Sequence, residues 1–329
     1  MPETSMPASR GRHEVRQARA LYFVEPGRVE VREEEIRRGP GEVLVTSRLC
    51  GISHGTEMLF FRGTAPGEIS EEPLEALRGS TAYPLTYGYM NVGVTEEDER
   101  VFAFHPHRDL FFARPESLYH LPDKLTFEDA VLLPTVETAL GIVHDLAPRY
   151  GETILLAGLG MVGLTTASIL RRMNLEVVAV DPVATRREHA GRLGCHAIEP
   201  GGIGEFEHFD AGINTSGDSG ALQLCIDAVA SEGTVIEASW YGRRSAELSL
   251  GGHFHRGRVT LRSAQVSTIN PGLAPRWTKE RRFGLAMETA QELRPGRYIS
   301  GRYPFERAQE AFERIDEGDP EVLQLVLEP

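Results

Sequence analysis

The chain has 329 residues, of which 41% are hydrophobic and 25% are charged, and its formal net charge at pH 7 is −13. This composition is typical of a globular protein whose length favours two domains, and the acidic balance argues against binding to nucleic acid or to an anionic membrane. No apolar run is long enough to span a bilayer, and the three widely spaced cysteines exclude a disulfide framework and favour a reducing cytoplasm.

The N-terminal third is predicted to be rich in β-strands. Residues 1–17 are polar, lack the apolar core of a signal peptide, and are expected to form a flexible tail. Residues 20–50 alternate apolar and polar side chains between Gly and Pro residues, which predicts short antiparallel strands. Residues 62–83 contain many turn-forming residues and are expected to form a surface excursion or lid. Further strands are predicted over 89–94 and 100–104.

The remainder of the chain alternates between strand and helix patterns, beginning with one long helix predicted over 127–146. Strands are predicted at 153–157, 176–180, 211–214, 233–238 and 258–264, with helices at 162–173, 185–193 and 221–230. Apolar strands separated by helices indicate an α/β fold of the Rossmann type, with a doubly wound parallel sheet covered on both faces. Two amphipathic helices (279–293 and 306–317) and a strand (322–327) end the chain.

The strongest chemical signal is a G-x-G-x-x-G motif, formed by Gly158, Gly160 and Gly163, between an apolar strand and a helix. In this setting the first glycine permits a tight turn, the second lets the backbone approach a pyrophosphate, and the third allows close helix packing. The helix N-terminus at Met161 and Val162 supplies free N–H groups and the positive end of a helix dipole. The motif therefore predicts a dinucleotide site, the alternative being a tight turn that binds no ligand.

Asp181 indicates which dinucleotide binds. It ends the strand after the glycine motif, where a carboxylate accepts hydrogen bonds from a ribose diol and repels a 2′-phosphate. NAD is therefore favoured over NADP. Arg186 and Arg187 are the counter-argument, because either guanidinium is able to pair with a phosphate.

Two later strands of the parallel sheet are followed by further candidate cofactor contacts, because ligands bind at the carboxyl edge of such sheets. Ser216 is expected near the adenosine-side ribose or the pyrophosphate. The backbone of Ser239 and Trp240 is expected to contact the ribose or the nicotinamide, and the side chain of Trp240 or Tyr241 to line the substrate pocket.

From about residue 18 onward the chain resembles the medium-chain dehydrogenase/reductase superfamily, and the differences from its zinc-dependent members are informative. Those members carry a C-G-x-C-G-T-D segment whose second cysteine binds catalytic zinc, whereas this sequence reads CGISHGTE at residues 50–57, with Ser53-His54 in place of that cysteine. The histidine ligand of their G-H-E segment is replaced by Tyr89 in GYM, and the four-cysteine lobe for structural zinc is missing. We therefore expect no zinc, the alternative being a different metal site built from His54, Glu57 and Glu137.

The resemblance also implies an architecture and an activity. It implies a GroES-like catalytic domain from residues 18–124 and 267–329 and a Rossmann domain from residues 125–266. Segments 52–57 and 87–89 resemble a zinc-free subgroup that includes hydroxyethyl bacteriochlorophyllide dehydrogenase and uncharacterised alcohol dehydrogenases. The subgroup implies NAD-dependent interconversion of a secondary alcohol and a ketone. A homodimer is expected, because the last central strand would otherwise leave an apolar edge uncovered.

Four residues in the matched segments are candidates for the proton exchange that zinc would otherwise assist. Tyr89 is suited to donate a proton to a developing alkoxide, the alternative being an aromatic ring packed between domains. His54 titrates in a suitable range, the alternative being an exposed loop histidine. Thr56 either relays a proton or caps the following helix, and Glu57 is either an acid behind the site or a first-turn helix charge.

Other polar residues have alternative interpretations too. His105 and His107 either line the substrate pocket or belong to a solvated loop, which the sequence favours. Glu137 and Thr138 are expected near the nicotinamide, and Arg276 either binds an anionic group of the substrate or lies on the surface. Two other functions stay open, namely a quinone or enone reductase, which in this superfamily usually uses NADPH, and a non-catalytic NAD-binding protein.

Overall fold

A long antiparallel hairpin and a set of short strands form the N-terminal part of the protein. The computed structural model describes residues 14–67, 81–206 and 208–329. The strands are β1 (Val15–Glu25), β2 (Arg28–Arg37), β3 (Val43–Gly51), β4 (Asn91–Thr95), β5 (Arg100–Ala103), β6 (Leu110–Ala113) and β7 (Tyr119–His120), and helix α1 (Thr56–Phe61) follows β3. The turn between β1 and β2 places Gly27 at φ +80°, a conformation that favours glycine.

The flexible tail ends earlier than the sequence predicts. Residues 15–17 belong to β1 and pair with the end of β2, so the prediction that the tail extends to residue 17 is wrong for these residues. Residues 1–13 lie outside the described residues, as do residues 68–80 of the predicted surface excursion.

The predicted long helix after β7 is two helices, α2 (Phe127–Ala130) and α3 (Leu133–Leu146). Pro134 lies in the first turn of α3. Because proline has no N–H and its ring clashes with the carbonyl four residues earlier, one helix cannot continue through this position. Helix α3 is nevertheless deeply buried and packs against both sheets, so the break leaves the core intact.

Helices and parallel strands then alternate to form a six-stranded sheet. The strands are β8 (Thr153–Ala157), β9 (Glu176–Val180), β10 (His196–Ile198), β11 (Phe209–Asn214), β12 (Val229–Glu237) and β13 (Thr260–Ser263), in the spatial order β10-β9-β8-β11-β12-β13. The helices are α4 (Met161–Arg172), α5 (Ala184–Arg192), α6 (Ser219–Ala228) and α7 (His253–Arg256). Every pairing is parallel, and the strand order reverses beside β8, where such sheets bind dinucleotides.

The outer edge of this sheet is shorter than predicted. Strand β13 covers Thr260–Ser263 rather than 258–264, and of its side chains only Leu261 is apolar. Leu261 is exposed, and among the described strands β13 pairs with β12 alone. Pairing with a second copy at this edge stays a prediction.

The C-terminal segment returns to the N-terminal sheet. It contains α8 (Lys279–Leu293), β14 (Ile299–Pro304), α9 (Ala308–Asp316) and β15 (Gln324–Glu328). The second sheet has the order β14-β15-β3-β4-β5-β7, with β6 also paired to β3, and it is antiparallel except for β14 and β15. Among the described helices none is long and apolar enough to cross a membrane.

The two sheets share one continuous core. Phe102 and Val92 of the second sheet, Val136 of α3 and Ile154 of the parallel sheet belong to the same cluster of buried side chains. Because these side chains are almost fully buried, the relative position of the two sheets is fixed by packing. The loops after β3 and β8 therefore lie on elements that a common core holds in place.

Candidate active site

Two hydroxyl groups meet where the two segments that differ in sequence from the zinc-dependent members of the superfamily come together. The Tyr89 hydroxyl donates a hydrogen bond of 2.7 Å to the Ser53 hydroxyl. Ser53 follows β3, and Tyr89 precedes β4. These two strands are neighbours, with a backbone hydrogen bond of 2.8 Å from Gly51 to Met90, so the side chains meet where the strands end. The sequence predicted Tyr89 for this place but recognised Ser53 only as a missing cysteine.

The environment of Tyr89 keeps its hydroxyl protonated. Burial raises the pKa of Tyr89 above its ordinary value and the nearby Glu57 carboxylate raises it further, whereas hydrogen bonding with Ser53 and Thr56 partly opposes the shift. A tyrosine that holds its proton at neutral pH is suited to act as a proton donor. The alternative of capping by Thr56 is wrong, because Gly55 is the N-cap of α1 and Thr56 is its first residue, whose N–H donates to the Ser53 hydroxyl at 3.3 Å.

Directly behind these hydroxyls lies a buried ion pair. Glu57 Oε2 and His107 Nε2 are 2.7 Å apart, and neither side chain has exposed surface. Burial opposes the charge on His107, but the Glu57 carboxylate and the neighbouring Cys50 thiol outweigh it and raise the pKa of His107. Glu57 does lie in the first turn of α1, as one interpretation expects, but its carboxylate is buried and pairs with His107. The prediction favoured for His105 and His107, that they belong to a solvated loop, is wrong, because both side chains are buried.

The donor set at this position does not fit zinc. Structural and catalytic zinc sites take thiolate, imidazole and carboxylate ligands, and here two neutral hydroxyls that bind each other stand in their place. Two of the three side chains of the alternative metal site are already engaged: Glu57 pairs with His107, and Glu137 pairs with Arg282 at 3.1 Å. In the parts of the chain that the structure describes, no three His, Cys, Asp or Glu side chains cluster as metal ligands do.

His54 follows Ser53 in the chain and comes close enough to Arg186 of α5 for their charges to interact. Its side chain is partly buried, and its Nε2 atom is buried without a hydrogen-bond partner, so the exposed-loop interpretation is wrong. Burial, and then the Arg186 cation, lower the pKa of His54 to about 4. Arg186 in turn lies 4.0 Å from the Asp181 carboxylate. The residue next to Ser53 thus interacts with Arg186, which lies beside the carboxylate that binds the glycine loop.

The lowered pKa of His54 predicts a specific acid sensitivity. The ordinary pKa of histidine is 6.5, and that of His54 in the folded protein is about 4. At a pH between these two values, His54 is protonated in the unfolded chain but neutral in the folded protein. The free energy of unfolding therefore falls as the pH is lowered through this window, by up to about 3 kcal/mol from this group. We expect His54→Gln to lose that part of the pH dependence in urea unfolding at about pH 7 and about pH 4.5. His120→Gln, at an exposed position, is the control, and an equal pH dependence in His54→Gln and the parent would contradict the assignment.

The glycine loop after β8 has the geometry of a phosphate-binding turn. Gly158 has φ +92°, and an added Cβ there would lie 2.7 Å from the Ser216 nitrogen. At Gly163 an added Cβ would overlap the Gly158 carbonyl oxygen, so this glycine is required for packing. At Gly160, by contrast, it would meet no protein atom within 4 Å. Space beside an unhindered backbone is what a pyrophosphate requires.

Helix α4 begins at Met161, and its first helical hydrogen bond runs from Leu164 N–H to the Gly160 carbonyl. The N–H groups of Met161 and Val162 therefore precede the hydrogen-bonded turns and point out of the helix N-terminus. Together with the open side of Gly160 they form an anion-binding corner.

Asp181 lies where the motif predicts, at the end of β9. Its carboxylate accepts backbone hydrogen bonds of 2.8 Å from Leu159 in the glycine loop and from Val183 at the start of α5. It thereby fixes the loop and places a negative charge beside it. Arg187 points elsewhere, with its guanidinium donating to the backbone carbonyls of Asp181 and Pro182. Arg186 donates to the Val322 carbonyl, and its Nε is buried without a partner.

The carboxyl ends of β11 and β12 carry a polar network that the sequence reasoning found only in part. Asn214 accepts hydrogen bonds from the backbone and hydroxyl of Ser216, and the Ser239 hydroxyl accepts from the Gly217 N–H. The Glu237 carboxylate binds the Asn214 amide at 2.7 Å, the Ser239 N–H at 2.7 Å and the Tyr241 hydroxyl at 3.2 Å.

The hydrogen bonds of Asn214 and Glu237 hold Ser216 and Ser239 at the carboxyl edge of the parallel sheet. Burial and the Glu237 carboxylate raise the pKa of Tyr241 to about 12, which keeps that residue a donor. Asn214 and Glu237 were missed, although a polar residue at the end of each apolar strand is a usable signal.

Four further candidates have different surroundings. Trp240 is 39% exposed, and Arg276 is exposed as well. The Thr138 hydroxyl donates to the Pro134 carbonyl within α3, which is a local helix contact. Glu137 pairs with Arg282 of α8, which also donates to the carbonyls of Val266 and Thr268.

Comparison with known proteins agrees with this architecture. No protein-family model matches the chain. It is 27% identical over 295 residues to the D-guloside 3-dehydrogenase of Escherichia coli (strain K12), with 79% of this chain and 83% of that protein covered. The structure of L-idonate 5-dehydrogenase from E. coli str. K-12 substr. MG1655 has a TM-score of 0.79 at 14% identity, covering 96% of this chain and 99% of that one. An alcohol dehydrogenase from E. coli CFT073 complexed with NADH has a TM-score of 0.76 at 16% identity, covering 95% and 99%.

These comparisons establish the fold. The finer resemblance to a zinc-free subgroup stays a prediction. The chain has the two-domain α/β fold of the medium-chain alcohol dehydrogenases, a Rossmann-like parallel sheet beside a separate and mainly antiparallel sheet.

Proposed function

We propose that this protein is a zinc-independent, NAD(H)-dependent oxidoreductase that interconverts a secondary alcohol and a ketone. The observation that carries the proposal is the 2.7 Å hydrogen bond between the Tyr89 and Ser53 hydroxyls in place of two zinc ligands. That pair adjoins His54, which faces Arg186 and, through it, Asp181 beside the glycine loop. A proton donor and a dinucleotide loop thus lie on the two sides of one gap.

The substrate class follows from the relatives and from the site. A dehydrogenase that acts at carbon 3 of a guloside or at carbon 5 of idonate oxidises a secondary alcohol. We infer a sugar or polyol as the substrate class. The Ser53, Thr56 and Tyr89 hydroxyls are each able to donate and accept hydrogen bonds, which suits a substrate with several hydroxyl groups.

In the proposed reaction a side chain of this protein, Tyr89, exchanges the proton with the substrate. A bound nicotinamide supplies the hydride in reduction and accepts it in oxidation. During reduction the Tyr89 hydroxyl donates its proton to the alkoxide oxygen, and during alcohol oxidation the tyrosine oxygen takes the proton back. Ser53 and Thr56 stabilise the tyrosine oxygen while it is deprotonated, which agrees with their lowering of the pKa of Tyr89. Neither direction requires a metal.

Asp181 supports NAD as the cofactor. Its carboxylate lies beside the glycine loop and accepts a hydrogen bond from Leu159, so a 2′-phosphate bound there would meet a fixed negative charge. Met161, Val162 and Gly160 would hold the pyrophosphate, and Ser216 and Ser239 would lie toward the riboses. Arg186 would face the phosphates from the side of His54.

The test combines metal analysis, cofactor titration and turnover on one preparation. We expect much less than one zinc per chain, NADH binding at least about 10-fold tighter than NADPH binding, and NAD-linked oxidation of sugars or polyols that a chelator leaves unchanged. One zinc per chain with chelator-sensitive activity would overturn the zinc-independent mechanism. NADPH preference with enone turnover would favour the reductase instead. Tight NADH binding without turnover of any alcohol or ketone would indicate a non-catalytic protein.

A further inference from the structure

The buried ion pair behind the hydroxyls touches the backbone on both sides of the site. One oxygen of Glu57 bonds His107, and the other accepts a 2.9 Å hydrogen bond from the backbone N–H of Ser53. Both carboxylate oxygens are therefore engaged, and one of them holds Ser53. The pair contacts neither the Ser53 nor the Tyr89 hydroxyl, so it has no direct part in proton transfer.

The imidazole of His107 also packs against the residue before Tyr89. Gly88 has φ +124°, and a Cβ there would lie 2.8 Å from two ring atoms of His107. The ring fills the space that only a glycine leaves free. The backbone that leads into Tyr89 therefore packs against the ring. The carbonyl of His107 also accepts a 3.0 Å hydrogen bond from the Leu21 N–H in the β1–β2 hairpin.

We propose that His107 is a positioning residue for the Tyr89 hydroxyl, acting on Ser53 through Glu57 and on Tyr89 through Gly88. This inference rests on the proposed function, in which Tyr89 exchanges the proton. Stability alone does not explain the pair, because replacing a buried ion pair by apolar residues is often neutral or stabilising. Holding two hydroxyls at 2.7 Å demands fixed backbone on each side, and the pair supplies both contacts.

The test compares His107→Gln with Glu57→Gln. Glutamine at 107 retains an N–H donor for Glu57 but lacks the ring that packs against Gly88. We expect kcat to fall about 10-fold, with the KM for the alcohol and the affinity for NADH unchanged. Glutamine at 57 keeps an oxygen for the Ser53 N–H and an N–H donor for a neutral His107, and the ring against Gly88 stays in place, so Glu57→Gln is expected to lower kcat less than His107→Gln does. In a crystal structure of His107→Gln, we expect the Ser53 and Tyr89 hydroxyls to have moved out of hydrogen-bonding distance.

Control variants distinguish a loss of positioning from a loss of stability and from a failure of the proposed function. Phe312→Leu loosens the stacking of Phe61 on Phe312 behind α1 without touching the polar groups, and is expected to lower stability but not kcat. If His107→Gln does not fold, the double variant Glu57→Gln with His107→Gln removes the buried charge and is tested in the same way.

Parent kcat in His107→Gln, or an unchanged Ser53–Tyr89 distance in its structure, would overturn the positioning role. Full activity in Tyr89→Phe would instead overturn the part of the proposed function that assigns proton exchange to Tyr89. The distance in the His107→Gln structure still decides the positioning role in that case, because it is read without any turnover.

Discussion

Replacing Tyr89 with phenylalanine is expected to lower kcat by about 100- to 10,000-fold, the range found when a general acid is removed. Phenylalanine keeps the ring that packs edge-on to Tyr87 at 6.1 Å and removes only the hydroxyl that donates to Ser53. The glycine loop belongs to the other sheet, so the affinity for NADH, measured by fluorescence titration, is expected to stay unchanged. Steady-state kinetics in both reaction directions measure the effect.

Tyr22→Phe is the matched control for this substitution. It also removes one tyrosine hydroxyl, whose 2.7 Å hydrogen bond to Glu34 lies on the N-terminal hairpin away from the site. We expect the parent kcat in this variant, with a stability loss of about 1 kcal/mol. If Tyr89→Phe also keeps the parent kcat, Tyr89 is not the proton donor, and the proton must be exchanged by another group such as Ser53 or His54.

The cofactor loop was predictable because the residues that determine its conformation lie close together in the sequence. Gly158, Gly160 and Gly163 specify a turn, an open backbone and a close helix contact within a few residues, and an apolar strand and a helix flank them. Helix α8 was placed over the same residues that the apolar periodicity predicts, 279–293. Where a local rule acts against the periodicity, as at Pro134, the predicted helix is broken.

The buried part of the site was not predictable in the same way, because its partners are distant in sequence. Tyr89 and Ser53 are 36 residues apart, and His107 and Glu57 are 50 residues apart. A His-Pro-His segment after a short strand is typical of a solvated loop, and nothing local reveals that His107 faces α1. One signal was available: in α1 a single carboxylate, Glu57, precedes four large apolar residues that are all buried. A carboxylate on so apolar a helix needs a buried partner, and a histidine is one of the few candidates.

The two sides of the site also depend on each other. His54 follows Ser53 directly, and its neutral ring faces Arg186, whose cation lies 4.0 Å from the Asp181 carboxylate. The pKa of His54 is lowered mainly because the ring is buried, and further because a proton on it would place two cations side by side. The neutral histidine lets Arg186 stay close to the cofactor loop. The segment before α1 therefore contributes both to the hydroxyl pair, through Ser53, and to the surroundings of Arg186, through His54.

Replacing Gly160 with alanine is expected to weaken NADH binding by about 10- to 100-fold, the loss that corresponds to charge-assisted hydrogen bonds of about 1.5–3 kcal/mol. The fold itself should tolerate the change. Gly160 has φ −70°, which any residue adopts, and the added Cβ meets no protein atom within 4 Å. Stability in urea is therefore expected to change by less than about 1 kcal/mol. The methyl group would occupy only the space assigned to the pyrophosphate.

Two other glycines make this test specific. At Gly163 the added Cβ overlaps the Gly158 carbonyl, so Gly163→Ala is expected to lose about 1–3 kcal/mol of stability as well as cofactor affinity. At Gly284, exposed in α8, alanine is expected to add about 0.5–1 kcal/mol of stability and leave NADH binding unchanged. If Gly160→Ala binds NADH as the parent does, the space beside Gly160 is not the phosphate site, and the cofactor must lie elsewhere on the carboxyl edge of the sheet.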